Sequence, residues 1–397
     1  SDDPTLAVRS LKYRSTISQI KQYVEKNVED GLSWMDTTES AMKNINSILV
    51  NMKGYLDQGA NDYLAQDERN SVLSVLKQYV SSVFEANADY SGRYVFTGYR
   101  TDTSLLFDES TKNLAYDIKE NFKYTDIGTV NVVTGTVEYK KGADAQNYAD
   151  QMAAIEKKSF YKVQLAYKNC SAASYASVKD GKDAAENYVT LTTSYKGTDG
   201  KDVEKVYKSV TRASTDANAY EVGDDEVIYL YDTGEMLIGK NVYTEIQENQ
   251  ADFRANYCKT EFDKSDIRPE MYFECQSYNK VSKKETTYAD PDGQEIKYEV
   301  NFSQNMTVNT QARDAIDTDI YRVIDYLSNA IADVDEVESR IANADKMIAN
   351  TTDPDELEKL NAYKESLETE KSLRVTVMTE AFGKGLTMVD TTQKKLN

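Results

Sequence analysis

Apolar residues recur every seven positions up the first sixty residues and again over the last ninety, with a different pattern between them. Near the start, Val28, Met35, Met42, Leu49 and Leu56 fall seven apart, and Val24, Gly31, Thr38, Ile45 and Met52 form a second register. Far along the chain, Ile320, Leu327, Val334, Ile341 and Ile348 repeat the spacing, with Ile316, Val323, Ala330, Val337 and Ala344 beside them. Two registers offset by three and four make one face of a helix. Two distant helices with matched stripes predict side-by-side pairing, that is, a rod built from both ends of the chain.

Local signals set the expected boundaries. Asp3 can cap a first helix and Pro4 suits its first position. That helix runs to Leu56, and at about 1.5 Å per residue it would be roughly 80 Å long. Trp34 is expected at the edge of the core, beside Met35. Gln58-Gly59-Ala60-Asn61-Asp62 breaks the helix. Val72, Leu76, Tyr79, Val83, Ala86 and Tyr90 form one face of a second helix over 66–90, ended by Gly92. Arg93 to Thr97 then reads as a strand closing at Gly98.

Between 105 and 305 short strands and turns dominate. Asn187–Lys196, Asp202–Thr211, Val227–Tyr231, Met271–Tyr278 and Ile296–Phe302 alternate Tyr, Val and Ile with polar residues. Gly197-Thr198-Asp199-Gly200, Asp232-Thr233-Gly234-Glu235 and Asp290-Pro291-Asp292-Gly293 are turns. Ala143–Lys158 reads as one helix within this region. The last helical region starts near Thr310 and runs to Ile348. Asp353-Pro354-Asp355-Glu356 starts another helix through a capping box, with Leu357, Leu360, Leu367 and Leu373 on its apolar face, folding back on the first. The expected fold is α+β: a long-helix rod domain from both chain ends (1–104 and 306–397) with an inserted, mainly β outer domain (105–305) of one or two subdomains.

Composition narrows the function. The 397 residues include 47 basic and 67 acidic ones, a net charge of −20. That argues against nucleic acid and anionic membrane surfaces, which need clustered Lys and Arg. Histidine is absent, which removes His-based triads and metal sites. Cys170, Cys258 and Cys275 have no metal-type spacing; they read as buried free thiols, with a Cys258–Cys275 bridge left open. Asp290-Pro291-Asp292-Gly293 resembles the start of a calcium loop but lacks the ligand series. No catalytic, metal or cofactor residues are assigned, and the chain is not expected to be an enzyme. No apolar run is long enough to span a membrane. The chain has no initiating Met, so it reads as a fragment trimmed at both termini, monomeric by itself.

Ser1-Asp2-Asp3-Pro4 ahead of a long helix, Gln58-Gly59-Ala60-Asn61, Asp67-Glu68-Arg69 and Gly92-Arg93-Tyr94-Val95-Phe96-Thr97-Gly98 occur in the order and spacing of the flagellin superfamily, which this chain resembles over its first hundred residues. The stretch Gly92 to Phe107, with Val300-Asn301-Phe302 and Val308-Asn309-Thr310, is most similar to the hook–filament junction branch. Ala65 stands where that family often has a capping Ser or Thr. The resemblance implies a structural subunit exported by the flagellar type III apparatus and placed outside the cell. It implies a ring of about eleven copies between hook and filament. The implied partners are a hook-associated protein on the hook side, flagellin on the filament side and an export chaperone. The residues expected to do this work are the helix-packing stripe: Val28, Met35, Met42, Leu49, Leu56, Ile320, Leu327, Val334 and Ile341. Two other readings stand beside it, a filament flagellin, and an adhesin or glycan-binding module carried by the Tyr-rich middle region.

Overall fold

The computed structural model describes residues 4–61, 64–85, 88–181, 189–197, 199–216, 218–301 and 303–396. The cap at Asp3, the stripe position Ala86, the turn residues Asp62 and Thr198, and the strand positions Asn187 and Phe302 lie outside them. A continuous helical rod opens the chain: α1 (Pro4–Gln22), a π-helical segment (Tyr23–Val28) and α2 (Glu29–Gly59). After it, α3 (Gln66–Glu85) packs back on α2, with Tyr55 and Tyr79 in ring contact at 5.8 Å. Ala65 offers no side-chain acceptor to α3. The reciprocal half of a capping box does the work instead: Glu68 accepts from the Ala65 N–H at 2.9 Å.

The second helix stops short of the expected Tyr90. Tyr90 lies in β1 (Asp89–Tyr90), which pairs with β2 (Arg93–Tyr94). Ser91 and Gly92 both take positive φ (52° and 78°), the backbone that a tight two-residue hairpin loop demands. Gly92 is thus a hairpin residue and not a helix terminator, and the expected strand to Thr97 ends at Tyr94.

The middle of the chain runs β3 (Leu114–Phe122), β4 (Gly128–Thr134), α4 (Ala145–Ala153), β5 (Glu156–Gln164), α5 (Tyr175–Asp180), β6 (Thr190–Lys196), β7 (Asp202–Lys208), β8 (Val210–Arg212), β9 (Val227–Leu230), β10 (Glu235–Ile238), α6 (Lys240–Glu248), β11 (Asp252–Lys259), β12 (Glu274–Asn279), β13 (Glu285–Tyr288), β14 (Lys297–Asn301) and β15 (Gln304–Thr307). A six-stranded antiparallel sheet has the order β13-β12-β3-β11-β6-β7, and a five-stranded sheet the order β4-β5-β10-β9-β8, in which β8 and β9 are parallel. The helix expected over Ala143–Lys158 ends at Ala153, because Glu156 onwards pairs with β4. The single strand expected over Asp202–Thr211 divides at Ser209. Its N–H and Oγ both donate to the Val189 carbonyl, at 3.0 and 2.7 Å, and the chain passes there from one sheet to the other. Cys258 pairs with Asp117 and Cys275 with Ile118, from either side of β3. Successive residues of a strand face opposite ways, so these two thiols lie on opposite faces; all three cysteines are free and buried.

The C-terminal half comprises α7 (Ala312–Ala315), α8 (Asp319–Ala349) and α9 (Pro354–Leu396). The helix expected from Thr310 is interrupted at Ile316, which is extended (φ −124°, ψ 113°). Asp353 caps α9 by accepting from the Asp355 N–H at 3.0 Å. Glu356 instead accepts from the Tyr139 hydroxyl. α8 and α9 form an antiparallel pair, and α9 also packs along α2. The two striped segments are therefore not simple neighbours: α9 lies between them. Gly385 of α9 permits this, since a β-carbon there would stand 3.1 Å from both Leu56 of α2 and Val323 of α8.

Candidate functional site

The packing seam is built from residue positions along α2, α8 and α9. On α8, Ile320, Leu327 and Val334 are fully buried and Ile341 nearly so, with Ile316, Val323, Ala330, Val337 and Ala344 beside them. On α2, Leu49 and Leu56 are buried together with Ile45 and Met52 of the second register. Toward the N-terminus the seam drifts away from the expected register. Met42 and Val28 are half-buried, and Met35 is 37% exposed. Trp34 takes the place of Met35, at 1% exposure. A straight helix turns slightly with each heptad, and the covering element there is β-structure. Trp34 meets Tyr90 edge-on at 6.0 Å and carries the Arg93 guanidinium over its ring at 5.1 Å. Beside Gly31 lie Tyr298, Met306 and Val308, from and just after the β14–β15 hairpin.

The buried face of α9 includes Leu360, Tyr363, Leu367, Glu370, Gly385 and Thr392, at steps of three and four or their multiples. Leu360 and Leu367 of the expected apolar face are buried and Leu357 and Leu373 half-buried, but apolar spacing passes over the part of the seam set by Glu370, Gly385 and Thr392. The steps themselves are the signal that could have found it.

Buried charges lock the helices to each other and to the sheets. Arg69 of α3, 2% exposed, reaches Asp335 at 3.0 Å and Glu338 at 2.6 Å on α8, and donates to the Leu64 carbonyl. Glu370, fully buried, accepts from Arg340 at 2.8 Å, Arg374 at 2.9 Å, the Val137 N–H at 2.9 Å and Thr136 at 3.1 Å. Burial by itself would raise its pKa. The Arg340 and Val137 hydrogen bonds and two guanidinium charges outweigh that and hold it below its ordinary value. Glu120 of β3 faces Arg322 of α8 at 3.8 Å and accepts from the Ala166 N–H and the Tyr257 hydroxyl. There burial wins, and the Glu120 carboxyl is pushed up to about 7 despite Arg322.

The segment singled out between Gly92 and Thr97 meets the one around Asn309. The Ala312 N–H donates to the Phe96 carbonyl at 2.8 Å, while Asn309 accepts from the Ile296 N–H and donates to the Gln294 carbonyl. Far from this junction, α1 buries no residue at all. Leu6, Leu11, Tyr13 and Ile17 are each more than half exposed. It carries Arg9, Lys12, Arg14 and Lys21 and no acidic residue. Among the described residues, no group of three or more Cys, Asp or Glu side chains is placed to hold a metal ion, and no helix is long and apolar enough to cross a membrane.

Residues 1–101 match the family model described as the bacterial flagellin N-terminal helical region. Among curated proteins, the flagellins of Salmonella rubislaw and Salmonella typhimurium are 24% and 23% identical over 162 residues, covering 40% of this chain. The match spans about a third of those relatives (33% and 32%). Solved structures similar along the chain include FlgL of Xanthomonas campestris, at 10% identity, TM-score 0.28 and coverage of 96% of this chain and 94% of that one. Another is the flagellar junction protein FlgL of Legionella pneumophila, at 10% identity, TM-score 0.27 and coverage of 98% and 99%. The likeness to the bacterial flagellin N-terminal helical region thus spans residues 1–101, in a chain with long helices at both ends and a β-rich middle.

Proposed function

We propose that this chain is a structural subunit of the bacterial flagellum, set between hook and filament as one member of a ring. The observation that carries the reading is the division of labour along one helical rod. Its α2 part closes a core with α9, whereas α1 buries no residue, exposes Leu6, Leu11, Tyr13 and Ile17, and is positively charged on a chain of net charge −20. Exposed apolar side chains on one helix are favourable to bury against a partner, and its charge suits an acidic neighbouring copy. On this reading, 1–104 and 306–397 form the rod domain and 105–305 the outer domain. Leu49 and Leu56 of the stripe, with Trp34 in place of Met35, and Ile320, Leu327, Val334 and Ile341 hold the rod together. A hook-associated protein, flagellin and an export chaperone are the proposed partners, and the proposed location is outside the cell.

Deleting the gene in its parent bacterium and imaging the flagella tests the junction role. Hooks without filaments, with flagellin shed into the medium and filaments restored by the gene, are expected; normal filaments on the deletion strain would overturn it. The flagellin names of the curated relatives favour a second reading, a filament subunit. Seeded growth of the purified full-length protein into long filaments would select that one. The Tyr-rich middle region lends little to glycan binding: between 99 and 305, only Tyr99 and Tyr139 among the described tyrosines are more than a third exposed.

A further inference from the structure

A cleft separates strands β4 and β5 from α8 and α9. Its two lobes, of about 780 and 530 Å³, meet at Lys162, Gln164, Tyr326 and Lys384. Lys384 projects from α9 and donates to the Thr129 carbonyl of β4. The acid one turn earlier on its own helix, Glu380, is already engaged, accepting from Asn131 and from Lys157 of β5 at 2.6 Å each. Across the cleft β5 presents a second ammonium, Lys162, paired with Glu235 of β10 and 4.1 Å from the centre of the Tyr326 ring on α8. The Lys384 ammonium lies 5.9 Å from the centre of the same ring. The nearby Asp325 is paired with Lys168 at 2.6 Å. Two cations thus flank one aromatic ring. One has its own carboxylate; the other, Lys384, makes no ion pair among the described residues.

We propose that Lys384 is a nucleophilic amine and a covalent modification site for small aldehydes, reached through this cleft. A lysine becomes a nucleophile when its neutral form is accessible, and the usual means are burial and an adjacent cation. Both act here: burial first, then the charge of Lys162, bring Lys384 down to about 8, and Glu380 opposes them only in part. The nitrogen lone pair attacks the aldehyde carbon, the carbonyl oxygen takes up a proton, and loss of water from the carbinolamine leaves an imine. A hydride donor such as cyanoborohydride reduces that imine to a stable secondary amine.

The test is residue-resolved mass spectrometry of the whole chain, treated at pH 7.5 with limiting glycolaldehyde and cyanoborohydride. Lys384 is expected to label roughly ten-fold faster than the exposed Lys21 and Lys43, because a neutral amine is far more populated near its pKa. Its rate is expected to follow a titration centred near pH 8. Lys162→Met should move that titration up and slow the labelling at pH 7.5; Glu380→Gln, which leaves Lys162 in place, should move it down and speed it. Labelling of Lys384 no faster than Lys43, or a rate that climbs with pH as that of an ordinary lysine does, would overturn the proposal.

Discussion

Glu370 shows how one polar residue can set the energetics of a helix whose leucine spacing marks only its apolar face. It occupies a seam position of α9 where an apolar side chain would be expected, with no exposed surface. Its desolvation is offset by Arg340, Arg374, the Val137 N–H and the Thr136 hydroxyl, so that α8, α9 and the segment after β4 converge on one carboxylate. Removing one partner from such a set costs more than the set contributes, because the remaining charges are left buried. Glu370→Ala is therefore expected to destabilise the protein by about 3–5 kcal/mol, and Glu370→Gln by less, in urea unfolding. Equal midpoints for Glu370→Ala and the parent would contradict the clamp. The sequence marks Glu370 as one acid among 67; only the tertiary neighbours distinguish it.

At the scale of elements, α9 wedges between α2 and α8. The matched stripes of α2 and α8 are legible as heptads, and their hydrophobic character follows from residue type alone. Their shared partner is legible as a helix with Leu360 and Leu367 on its apolar face, but not as the element between them, because there its seam uses Gly385, Thr392 and Glu370. Two glycines two residues apart on α9 make a matched experiment. A β-carbon on Gly383 meets nothing within 4 Å, whereas one on Gly385 comes within 3.1 Å of Leu56 and Val323. Gly383→Ala should stabilise by up to about 1 kcal/mol through helix propensity. Gly385→Ala should lower the melting temperature, and Gly385→Leu should cost about 1–3 kcal/mol through overpacking. Similar melting temperatures for Gly383→Ala and Gly385→Ala would remove α9 from the position described.

For the whole molecule, the balance of buried carboxyls fixes how stability varies with pH. Burial pushes Glu120 up to about 7, and Asp117 up to about 6; burial and then the charge of Asp317 bring Asp319 to about 6. A carboxyl whose folded pKa is raised binds its proton more tightly in the folded state. Its contribution therefore grows as pH falls from above the folded value toward the unfolded one. Glu370, Glu380, Glu245 and Glu285 are held below their ordinary values and act the other way, losing stability below the ordinary glutamate range. Stability should consequently rise between pH 8 and roughly pH 5.5 and fall again below about pH 4. Urea unfolding across that range checks this, and Glu120→Gln should flatten the upper limb. A parent protein that weakens steadily from pH 8 to 5.5 would refute it.

The residue order by itself determined the helical ends, the β-rich middle and the positions of most turns. Those follow from the period of apolar positions and from where Gly, Asn, Asp and Pro permit a turn. It also held the resemblance at Gly92 to Gly98 and near Asn309, stretches that the fold brings together. Tertiary structure decided the rest. The crossing of Ser209 between sheets, the replacement of Met35 by Trp34 in the seam and the wedging of α9 each depend on a neighbour distant in sequence. The same holds for the Lys384 cleft, whose chemistry arises only once β5 sets Lys162 across from α9. Backbone periodicity is a local property, whereas burial and charge are set by what the fold brings alongside.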